Sequence, residues 1–363
     1  MIKKIKKQID KNLQEFMIKI EKQYRFSEIH PVLAKSLFEY STREGKRIRP
    51  LLNIISYKGY LPKNKKMHPS LYNVSCAIEL LHNFMLIHDD IIDCSNLRRG
   101  KPTMHILLQK VVNTNKKEKL GNDLAIIAGD LLYAFAIDAF ISVTVPAPKK
   151  EKALKYFIET TTLTAIGEFI DTVHGFEKIS KIKEKDVYLN YSYKTARYTF
   201  IAPMVIGAIL AGAKETEIKK LTQLGMLIGQ AFQIQDDIIG IFDQEKNIGK
   251  SLLSDIQEAK KTLLVIKTFE KLSPKKRKIF ADIFDKKKKT YKDLIAIRKI
   301  FIEAKSLEYN LSEMELRIKK SQKILHSLEM KQENKLIIGE LIQKIFQHSH
   351  RIALENNLKI DIQ

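Results

Sequence analysis

The chain has 363 residues, 44% of them hydrophobic, and its 64 Lys and Arg residues outweigh 42 Asp and Glu residues to give a formal charge of +22. A hydrophobic share of this size is typical of globular proteins and excludes an intrinsically disordered chain. The excess of positive charge predicts an anionic partner or substrate, although a lysine-rich solvated surface would also produce it.

Glycine and proline are scarce, with 14 and 9 residues, which favours long helices joined by few connections. No Pro/Gly/Ser-rich linker divides the chain, so we expect a single domain over residues 1–363. The two cysteines, Cys76 and Cys94, cannot form a disulfide framework and favour a reducing, cytoplasmic compartment. No stretch approaches the roughly 18 to 20 apolar residues that a bilayer span needs, so no membrane helix is expected.

Helical periodicity begins at the N-terminus. The basic start MIKKIKKQIDKNLQEF lacks the apolar core of a signal peptide and predicts a first amphipathic helix. Apolar residues then recur at three- and four-residue steps, which predicts helices over Val74–Ile92, Leu124–Val143, Tyr156–Val173, Thr199–Leu210 and Leu221–Phe242. These segments predict an all-α fold.

The last third of the chain, residues 271–363, is helical in pattern and strongly basic. Ser273 followed by Pro274 predicts a helix start, and Ser312 with Glu315 three residues later predicts a capping box. Lysine runs at 275–278 and 286–289 are typical of solvated helix faces. Contact with a membrane or a nucleic acid is the alternative for these runs.

Two aspartate pairs interrupt apolar helical runs. Asp89, Asp90 and Asp93 follow one run, and at about 100° per residue Asp89 and Asp93 share a helix face. Asp236 and Asp237 lie in a second run, where unpaired carboxylates would be costly. One such pair could simply top a helix and pair with lysines, but two pairs favour divalent-cation sites.

The residue types also indicate the metal and its ligand. Carboxylates without a Cys/His set of zinc spacing favour Mg²⁺ that keeps waters and substrate phosphates. Two basic segments accompany the acids: LRRGKP at 97–102 directly follows the first aspartate motif, and GKRIRP at 45–50 precedes it. Cations close to carboxylates are expected if a metal-bridged polyanion lies between them. GKRIRP lacks the spacing of a Walker A loop, which argues against nucleotide hydrolysis.

Taken together, these segments resemble the trans-type polyprenyl diphosphate synthases, with the short-chain geranylgeranyl and farnesyl enzymes of archaeal type most similar in pattern. The matching blocks are GKRIRP, ELLHNFMLIHDDIIDCSNLRRGKPTMH, AGDLL, YKTA and GQAFQIQDDIIGIFDQEKNIGKSLLSDI, in family order over about residues 40–265. The resemblance implies a helical bundle around a central cavity, with the aspartate segments facing each other across its mouth, and usually a homodimer.

The reaction that the resemblance implies is a transferase reaction. Isopentenyl diphosphate condenses head-to-tail with dimethylallyl, geranyl or farnesyl diphosphate after Mg²⁺-dependent ionisation of the allylic partner. Preplaced Mg²⁺ and cationic side chains stabilise the charge that grows on the leaving diphosphate. No nucleophilic Ser, Cys or His is required.

The resemblance also assigns roles to individual residues. The implied Mg²⁺ ligands are Asp89, Asp90, Asp93, Asp236 and Asp237. The implied isopentenyl diphosphate site consists of Lys46, Arg49, His82 and Arg99. The implied allylic diphosphate site consists of Arg98, Lys194, Thr195, Gln233, Lys250 and Lys260. The residues implied in catalysis itself are Asp89, Asp93, Asp236, Lys194 and Arg98. Gly240, where many members carry a third aspartate, puts one ligand of the second motif in question.

Product length depends on the residues below the first motif. Met85, Phe84 and Leu81 lie about 6, 7.5 and 12 Å deeper than Asp89 at 1.5 Å per residue. A Phe below the metal site should act as a floor, and an aromatic residue at the fifth position before the motif resembles archaeal-type geranylgeranyl synthases. We therefore predict a C20 product, with C15 as the alternative.

Other classes explain the sequence less well. A terpene cyclase would not need Lys46, Arg49 and His82, and a non-catalytic subunit of a heteromeric synthase would be expected to have lost aspartates. A basic helical nucleic-acid-binding protein would explain the net charge, but not the aspartate pairs. We therefore expect diphosphate substrates and no nucleic-acid partner, and peripheral membrane contact remains an open alternative.

Overall fold

The computed structural model describes residues 1–98, 100–243 and 256–355, without the side chains of 348–350 and 353–354. These residues are mainly helical, as predicted. The α-helices are α1 Ile2–Tyr24, α2 Phe26–Ile29, α3 Pro31–Thr42, α4 Ile48–Tyr60, α5 Leu71–Ile92, α6 Met104–Leu108, α7 Lys117–Ile141, α8 Ala147–Phe176, α9 Glu184–Asn190, α10 Ala202–Ala211, α11 Glu215–Phe242, α12 Leu263–Lys271, α13 Pro274–Phe284, α14 Tyr291–Glu303, α15 Ser306–Ser327 and α16 Gln332–Glu355.

Four other elements complete the described fold. Ile179–Lys181 is a 3₁₀ turn and Tyr191–Ile201 is a π-helix between α9 and α10. Strands β1 (Leu97–Arg98) and β2 (Lys101–Pro102) pair antiparallel, with Leu97 opposite Pro102. Gly100 in their turn has a φ of 72°, a conformation that residues with a Cβ rarely adopt. The prediction of an all-α fold is confirmed.

The chain groups into two compact units, each built from several segments. The first comprises Met1–Thr161, Ala202–Ile218 and Glu329–Ile337, and the second comprises Thr162–Ile201, Lys219–Leu328 and Ile338–Gln363. The single domain over residues 1–363 stays a prediction.

In the first unit, α4 is fixed by close packing against α10. A Cβ on Gly207 would lie 2.4 Å from the backbone oxygen of Asn53, so only glycine allows this approach. Asn53 donates to the Pro203 carbonyl at 3.1 Å, and Ser56 donates to the Met204 carbonyl at 2.6 Å. These contacts hold α4, and hence the GKRIRP segment that leads into it.

In the second unit, the π-helix is packed against two helices through glycines. A Cβ on Gly167 of α8 would lie 2.5 Å from the backbone nitrogen of Lys194, and one on Gly229 of α11 would lie 2.3 Å from the Cβ of Ala196. The Lys194–Ala196 segment is therefore held between α8 and α11.

Three of the predicted helices lie within α5, α8 and α11. The predicted helix Leu124–Val143 begins earlier and ends two residues sooner, as α7, and Thr199–Leu210 is divided between the π-helix and α10. One cap prediction is wrong. Ser273 precedes α13, as predicted. Ser312 lies inside α15, where its hydroxyl donates to the Tyr309 carbonyl at 2.8 Å, so it caps no helix start. The helix begins earlier, after Lys305, which adopts a left-handed φ of 52°.

One helix bears on the expectation that the chain has no membrane span. Among the described residues, Lys117–Ile141 (α7) is long and apolar enough by length and composition, with a mean hydropathy of 2.0 in its best window. That window is 44% buried inside the fold. A core helix of a soluble protein passes the same test, so this single helix is weak evidence for a membrane span.

Candidate active site

The first aspartate motif lies at the C-terminal end of α5. Asp89 and Asp90 belong to the last turn of the helix, and Asp93 follows it as the C-cap residue, with its backbone N–H bonded to the Asp89 carbonyl at 2.8 Å. The side chain of Asp89 is 22% exposed, whereas that of Asp90 is fully buried. Although they are adjacent in sequence, the two carboxylates therefore have different surroundings.

Arg98 on β1 joins these two carboxylates. Its Nη2 lies 2.9 Å from Asp89 Oδ2, and its Nε donates to Asp90 Oδ1 at 2.7 Å. Tyr40 on α3 donates to Asp90 Oδ2 at 3.2 Å. The structure thus places the predicted diphosphate-binding arginine directly beside the predicted metal ligands.

Burial and charge act on this cluster in opposite directions. Burial raises the pKa of Asp90 to about 6, even though Arg98 works to lower it. Burial also disfavours the charged guanidinium, yet Asp89 and Asp90 together raise the pKa of Arg98. Burial first, then the negative charge of Asp90, raises the pKa of Tyr40, so its phenol remains a hydrogen-bond donor at neutral pH.

Three residues predicted to bind isopentenyl diphosphate line one cavity in the first unit. Lys46, Arg49 and His82 surround a space of about 530 Å³, together with Arg47 and Glu79. Lys46 is exposed, Arg49 is half-buried and His82 is buried. A cavity with two flexible cations and an imidazole suits an anionic group.

Arg47 has a different role from its two basic neighbours. It is buried, and its guanidinium lies 2.5 Å from Glu79 Oε1 and 2.8 Å from Asp10 Oδ1. Although burial opposes it, Glu79 raises the pKa of Arg47, which therefore stays charged. We interpret it as a structural ion pair that holds α5 and α1 to the basic segment.

The second aspartate motif lies near the end of α11. Asp236 is exposed, while Asp237 accepts hydrogen bonds from the Tyr191 hydroxyl and, at 3.0 Å, from Gln233 Nε2. Thr195 Oγ1 donates to Gln233 Oε1 at 2.5 Å, so Gln233 links the π-helix to the motif. Thr195 and Gln233, which were predicted for the allylic diphosphate, therefore form a single hydrogen-bonded chain with Asp237, a predicted metal ligand.

A small cavity beside this motif contains a further predicted cation. It has a volume of about 60 Å³, and its lining includes Gln233, Asp236, Asp237 and Lys260. Lys260 Nζ lies 2.7 Å from Glu258 Oε2. The spacing of Asp243 excluded it as a replacement for the missing third aspartate, and the structure places it against Arg351 at 3.1 Å.

Two acidic residues beside Lys194 were missed by the sequence reasoning. Lys194 Nζ lies 2.8 Å from Glu168 Oε2 and 2.7 Å from Asp171 Oδ2 on α8, and Asn190 also donates to Asp171 at 2.7 Å. Burial alone would raise the pKa of Asp171, but Lys194 and, more weakly, Lys260 hold it below its usual value. The sequence signal was weak: Glu168 and Asp171 stand three residues apart and therefore share a helix face.

The predicted floor residue makes an aromatic contact that the sequence did not reveal. Phe84 is half-buried, and its ring centroid lies 5.2 Å from that of Tyr133 on α7 and 4.6 Å from that of His88. Leu81, one turn deeper, is buried. Phe84 and Tyr133 together form an aromatic wall below the first motif.

The carboxylates of the two motifs suit Mg²⁺ ions that take only some of their ligands from the protein. In the ranges that the structure describes, no group of three or more His, Cys, Asp or Glu residues is placed to hold an ion. One or two carboxylates per ion, as Asp89 and Asp236 offer, match the way Mg²⁺ is bound when substrate phosphates and waters supply the remaining ligands.

Some predictions lie outside what the structure describes. Arg99 and Lys250 fall outside the described residues. The two aspartate motifs belong to different compact units, so their facing each other across a cavity stays a prediction.

Comparison with known proteins finds relatives over most of the chain. The sequence profile described as polyprenyl synthetase matches residues 30–301. The chain is 37% identical over 287 residues to a geranylgeranyl diphosphate synthase of Sulfolobus acidocaldarius. This alignment covers 78% of this chain and 81% of that relative.

Solved structures of similar fold cover nearly the whole chain. A geranylgeranyl pyrophosphate synthetase from Pyrococcus horikoshii OT3 has a TM-score of 0.78 and 28% identity over 95% of this chain and 97% of that one. A geranylgeranyl pyrophosphate synthase from Corynebacterium glutamicum, complexed with isoprenyl diphosphate and magnesium, has a TM-score of 0.84 and 23% identity over 93% and 98%. The second likeness shows the fold alone.

Proposed function

The chain belongs to the polyprenyl synthetase family, and from this premise we propose that it condenses isopentenyl diphosphate head-to-tail with an allylic diphosphate to make geranylgeranyl diphosphate. It is a prenyltransferase by family. The observation that carries the proposed chemistry is the arrangement at the end of α5, where the partly exposed Asp89 lies beside Arg98. Together they offer a metal-binding carboxylate and a diphosphate-binding cation at one point.

The residues divide the work by charge. When bound, Mg²⁺ neutralises the diphosphate that departs from the allylic substrate, and Asp89, Asp93 and Asp236 are the carboxylates that would hold it. Arg98 and Lys194 stabilise the negative charge that grows on this leaving group, because fixed cations need no reorganisation during ionisation. The second substrate does not ionise, so its diphosphate takes direct cationic donors.

Lys46, Arg49 and His82 are the proposed donors for isopentenyl diphosphate. Their shared cavity of about 530 Å³ supports this role. Thr195, Gln233 and Lys260 keep their proposed place at the allylic diphosphate, and Asp90 and Asp237 complete the two proposed metal-binding motifs. Arg99 and Lys250 retain their proposed roles on sequence alone.

The proposed C20 product rests on Phe84. Its ring contacts that of Tyr133 and stands about 7.5 Å below Asp89 along the helix, where it would stop a growing chain. A C15 product is the second candidate, because a chain seated more deeply would reach this ring with fewer carbons.

The test is a product assay with purified protein. Mg²⁺, isopentenyl diphosphate and one allylic starter at a time (dimethylallyl, geranyl or farnesyl) are incubated with the protein, and the dephosphorylated products are sized by chromatography. We expect geranylgeraniol from each starter that is used. Farnesol alone would move the proposal to C15, and no turnover, combined with salt-sensitive nucleic-acid binding, would favour the nucleic-acid alternative.

We also propose a cytoplasmic homodimer. Large apolar side chains remain exposed on α7 and α8, among them Ile127 at 54% and Phe169 at 70%, and exposed apolar surface of this kind marks interaction sites. Light scattering should give twice the mass of one 42.0 kDa chain. A monomeric mass at micromolar concentration would contradict this proposal.

Peripheral contact of the basic part with an anionic membrane is the remaining proposal on partners. On α14, Tyr291, Ile295 and Ile302 are exposed on one face, with Lys292 and Lys299 beside it. An apolar stripe flanked by lysines suits an anionic lipid surface. The protein should sediment with anionic vesicles at low salt and remain in the supernatant at high salt. Sedimentation of the same fraction of protein with neutral vesicles would argue against this proposal.

A further inference from the structure

The hairpin that carries Arg98 is too small to hold its own geometry. Its strands are two residues each, Leu97–Arg98 and Lys101–Pro102, and an isolated two-stranded hairpin is marginal in water. Leu97 is 50% exposed and therefore adds little apolar anchoring. A residue that must meet a diphosphate in a defined position thus needs support from elsewhere in the fold.

Helix α3 provides support for the hairpin backbone. Arg43 Nη2 donates to the Pro102 carbonyl at 2.8 Å, and its side chain is only 7% exposed. Glu39 accepts from Arg43 Nε at 2.9 Å and lies 3.2 Å from Lys101 Nζ. The guanidinium of Arg43 also covers the ring of Tyr40, with 4.6 Å between the guanidinium carbon and the ring centroid.

The same helix supports the Arg98 side chain through Asp90. Tyr40 donates to Asp90 Oδ2, while Asp90 Oδ1 accepts from Arg98 Nε. Both carboxylate oxygens are therefore engaged in a fully buried position. To reach a metal ion, Asp90 would have to leave a phenol and a guanidinium without their acceptor, which is costly when the groups are sheltered from water.

We infer that Tyr40 and Arg43 on α3 and Asp90 on α5 are positioning residues that hold Arg98 for the allylic diphosphate, and that Asp90 is not a Mg²⁺ ligand. The inference rests on the proposed function and changes the role assigned to Asp90 by resemblance. Asp89, which keeps part of its carboxylate exposed, remains the ligand of the pair.

The test compares Tyr40→Phe, Arg43→Met and Asp90→Asn with Asp89→Asn. For the first three variants we expect the KM for the allylic diphosphate to rise about 10-fold, the scale of one lost hydrogen bond. The KM for isopentenyl diphosphate and the Mg²⁺ concentration for half-maximal activity should stay within about 2-fold of wild type. Asp89→Asn should instead raise the Mg²⁺ requirement.

Conservative and neutral variants separate positioning from general damage. Arg43→Lys keeps the charge but loses the planar fork that reaches both Glu39 and Pro102, so it should rescue only part of the allylic KM. Lys35→Met, an exposed position on α3, is the matched control and should behave as wild type. Tyr40→Phe removes a single hydroxyl, so it tests the inference even if Arg43→Met does not fold.

Two outcomes overturn the inference while the wild type remains active. One is a Mg²⁺ requirement in Asp90→Asn that rises as much as in Asp89→Asn. The other is an unchanged allylic KM in both Tyr40→Phe and Asp90→Asn. A wild-type protein without turnover on any starter would instead contradict the proposed function, and the inference would fall with it.

Discussion

The two aspartate pairs have the same sequence, but different groups hold them. In the first unit, Asp90 is buried and accepts from the guanidinium of Arg98. In the second unit, Asp237 accepts hydrogen bonds from the phenol of Tyr191 and the amide of Gln233. A positive charge, on Arg98, thus offsets the cost of burying the first carboxylate, whereas Tyr191 and Gln233 are neutral donors to the second.

What the pairs share is a division between an outer and an inner carboxylate. Asp89 is 22% exposed beside a fully buried Asp90, and Asp236 is exposed beside a half-buried Asp237. Consecutive helical residues point about 100° apart, so the two carboxylates of each pair lie in different surroundings. Each doubled aspartate thus has a more exposed carboxylate, which we propose binds metal, and a more buried one that neighbouring side chains hold.

The largest expected effect comes from removing an outer carboxylate. Asp89→Ala and Asp236→Ala should each lower turnover by at least about 100-fold, because a group that stabilises transition-state charge is lost. Steady-state rates at saturating Mg²⁺ check this, with the exposed Asp282→Ala on α13 as control. Near-normal turnover in either variant would remove the metal assignment and the outer/inner distinction for that motif.

The pH dependence of stability should separate the two inner carboxylates. Burial raises the pKa of Asp90 to about 6, well above the usual value of about 3.9 for an aspartate. The folded state then binds its proton more tightly than the unfolded state, so this group makes the free energy of unfolding fall as pH rises from about 4 to about 6. The loss is about 1 to 3 kcal/mol.

Urea unfolding of metal-free protein between pH 4 and pH 7 measures this loss. Asp90→Asn should lack the component, while Asp237→Asn should retain it, since Asp90 is intact there. If the free energy of unfolding depends on pH in the same way in wild type and Asp90→Asn, the protonation of Asp90 does not affect stability as expected.

Tyr191 tests the neutral support of the second pair. Its hydroxyl donates to Asp237 and accepts from the backbone N–H of Leu263 at 2.9 Å, and burial, reinforced by Asp237, raises its pKa well above the usual value. Tyr191→Phe should lower the free energy of unfolding by about 1 to 3 kcal/mol, because the buried backbone N–H of Leu263 then loses its acceptor. Urea titration measures this decrease. Tyr291→Phe, at an exposed tyrosine, should leave the free energy of unfolding unchanged.

The smallest effect on turnover is expected below the first pair, where the two motifs differ again. Phe84 stands five residues before Asp89, whereas Ala231 stands five residues before Asp236. Phe84→Ala should keep most of the turnover but lengthen the product, because the ring that faces Tyr133 is removed. Chromatography of the products checks this, with the exposed Phe176→Ala as control; an unchanged chain length would exclude Phe84 as the floor.

Most helices could be predicted, because their periodic apolar residues are a local property. The predicted Leu221–Phe242 helix ends where α11 ends, although α11 begins earlier, at Glu215, in a polar first turn that lacks the apolar signal. The π-helix Tyr191–Ile201 could not be predicted. Over eleven residues its apolar pattern is too similar to that of an α-helix, and close packing at Gly167 and Gly229 accompanies it.

The site was predictable to the extent that motifs carry it. Lys46, Arg49 and His82 share a cavity as the resemblance implied, and Thr195 meets Gln233. The partners of these residues were not predictable. Glu168 and Asp171, which hold Lys194, form an unremarkable pair in sequence, and their meaning depends on which residue the fold brings to them.

By itself, the sequence determined the all-α class, the family and the residues that can carry the chemistry, because these depend on residue type and local spacing. Only the tertiary structure decided which aspartate of each pair faces outward and what holds the other. Tyr40 and Asp90 are 50 positions apart, and Tyr191 and Asp237 are 46 apart. Such contacts follow from how the helices pack within each unit, which no local pattern records.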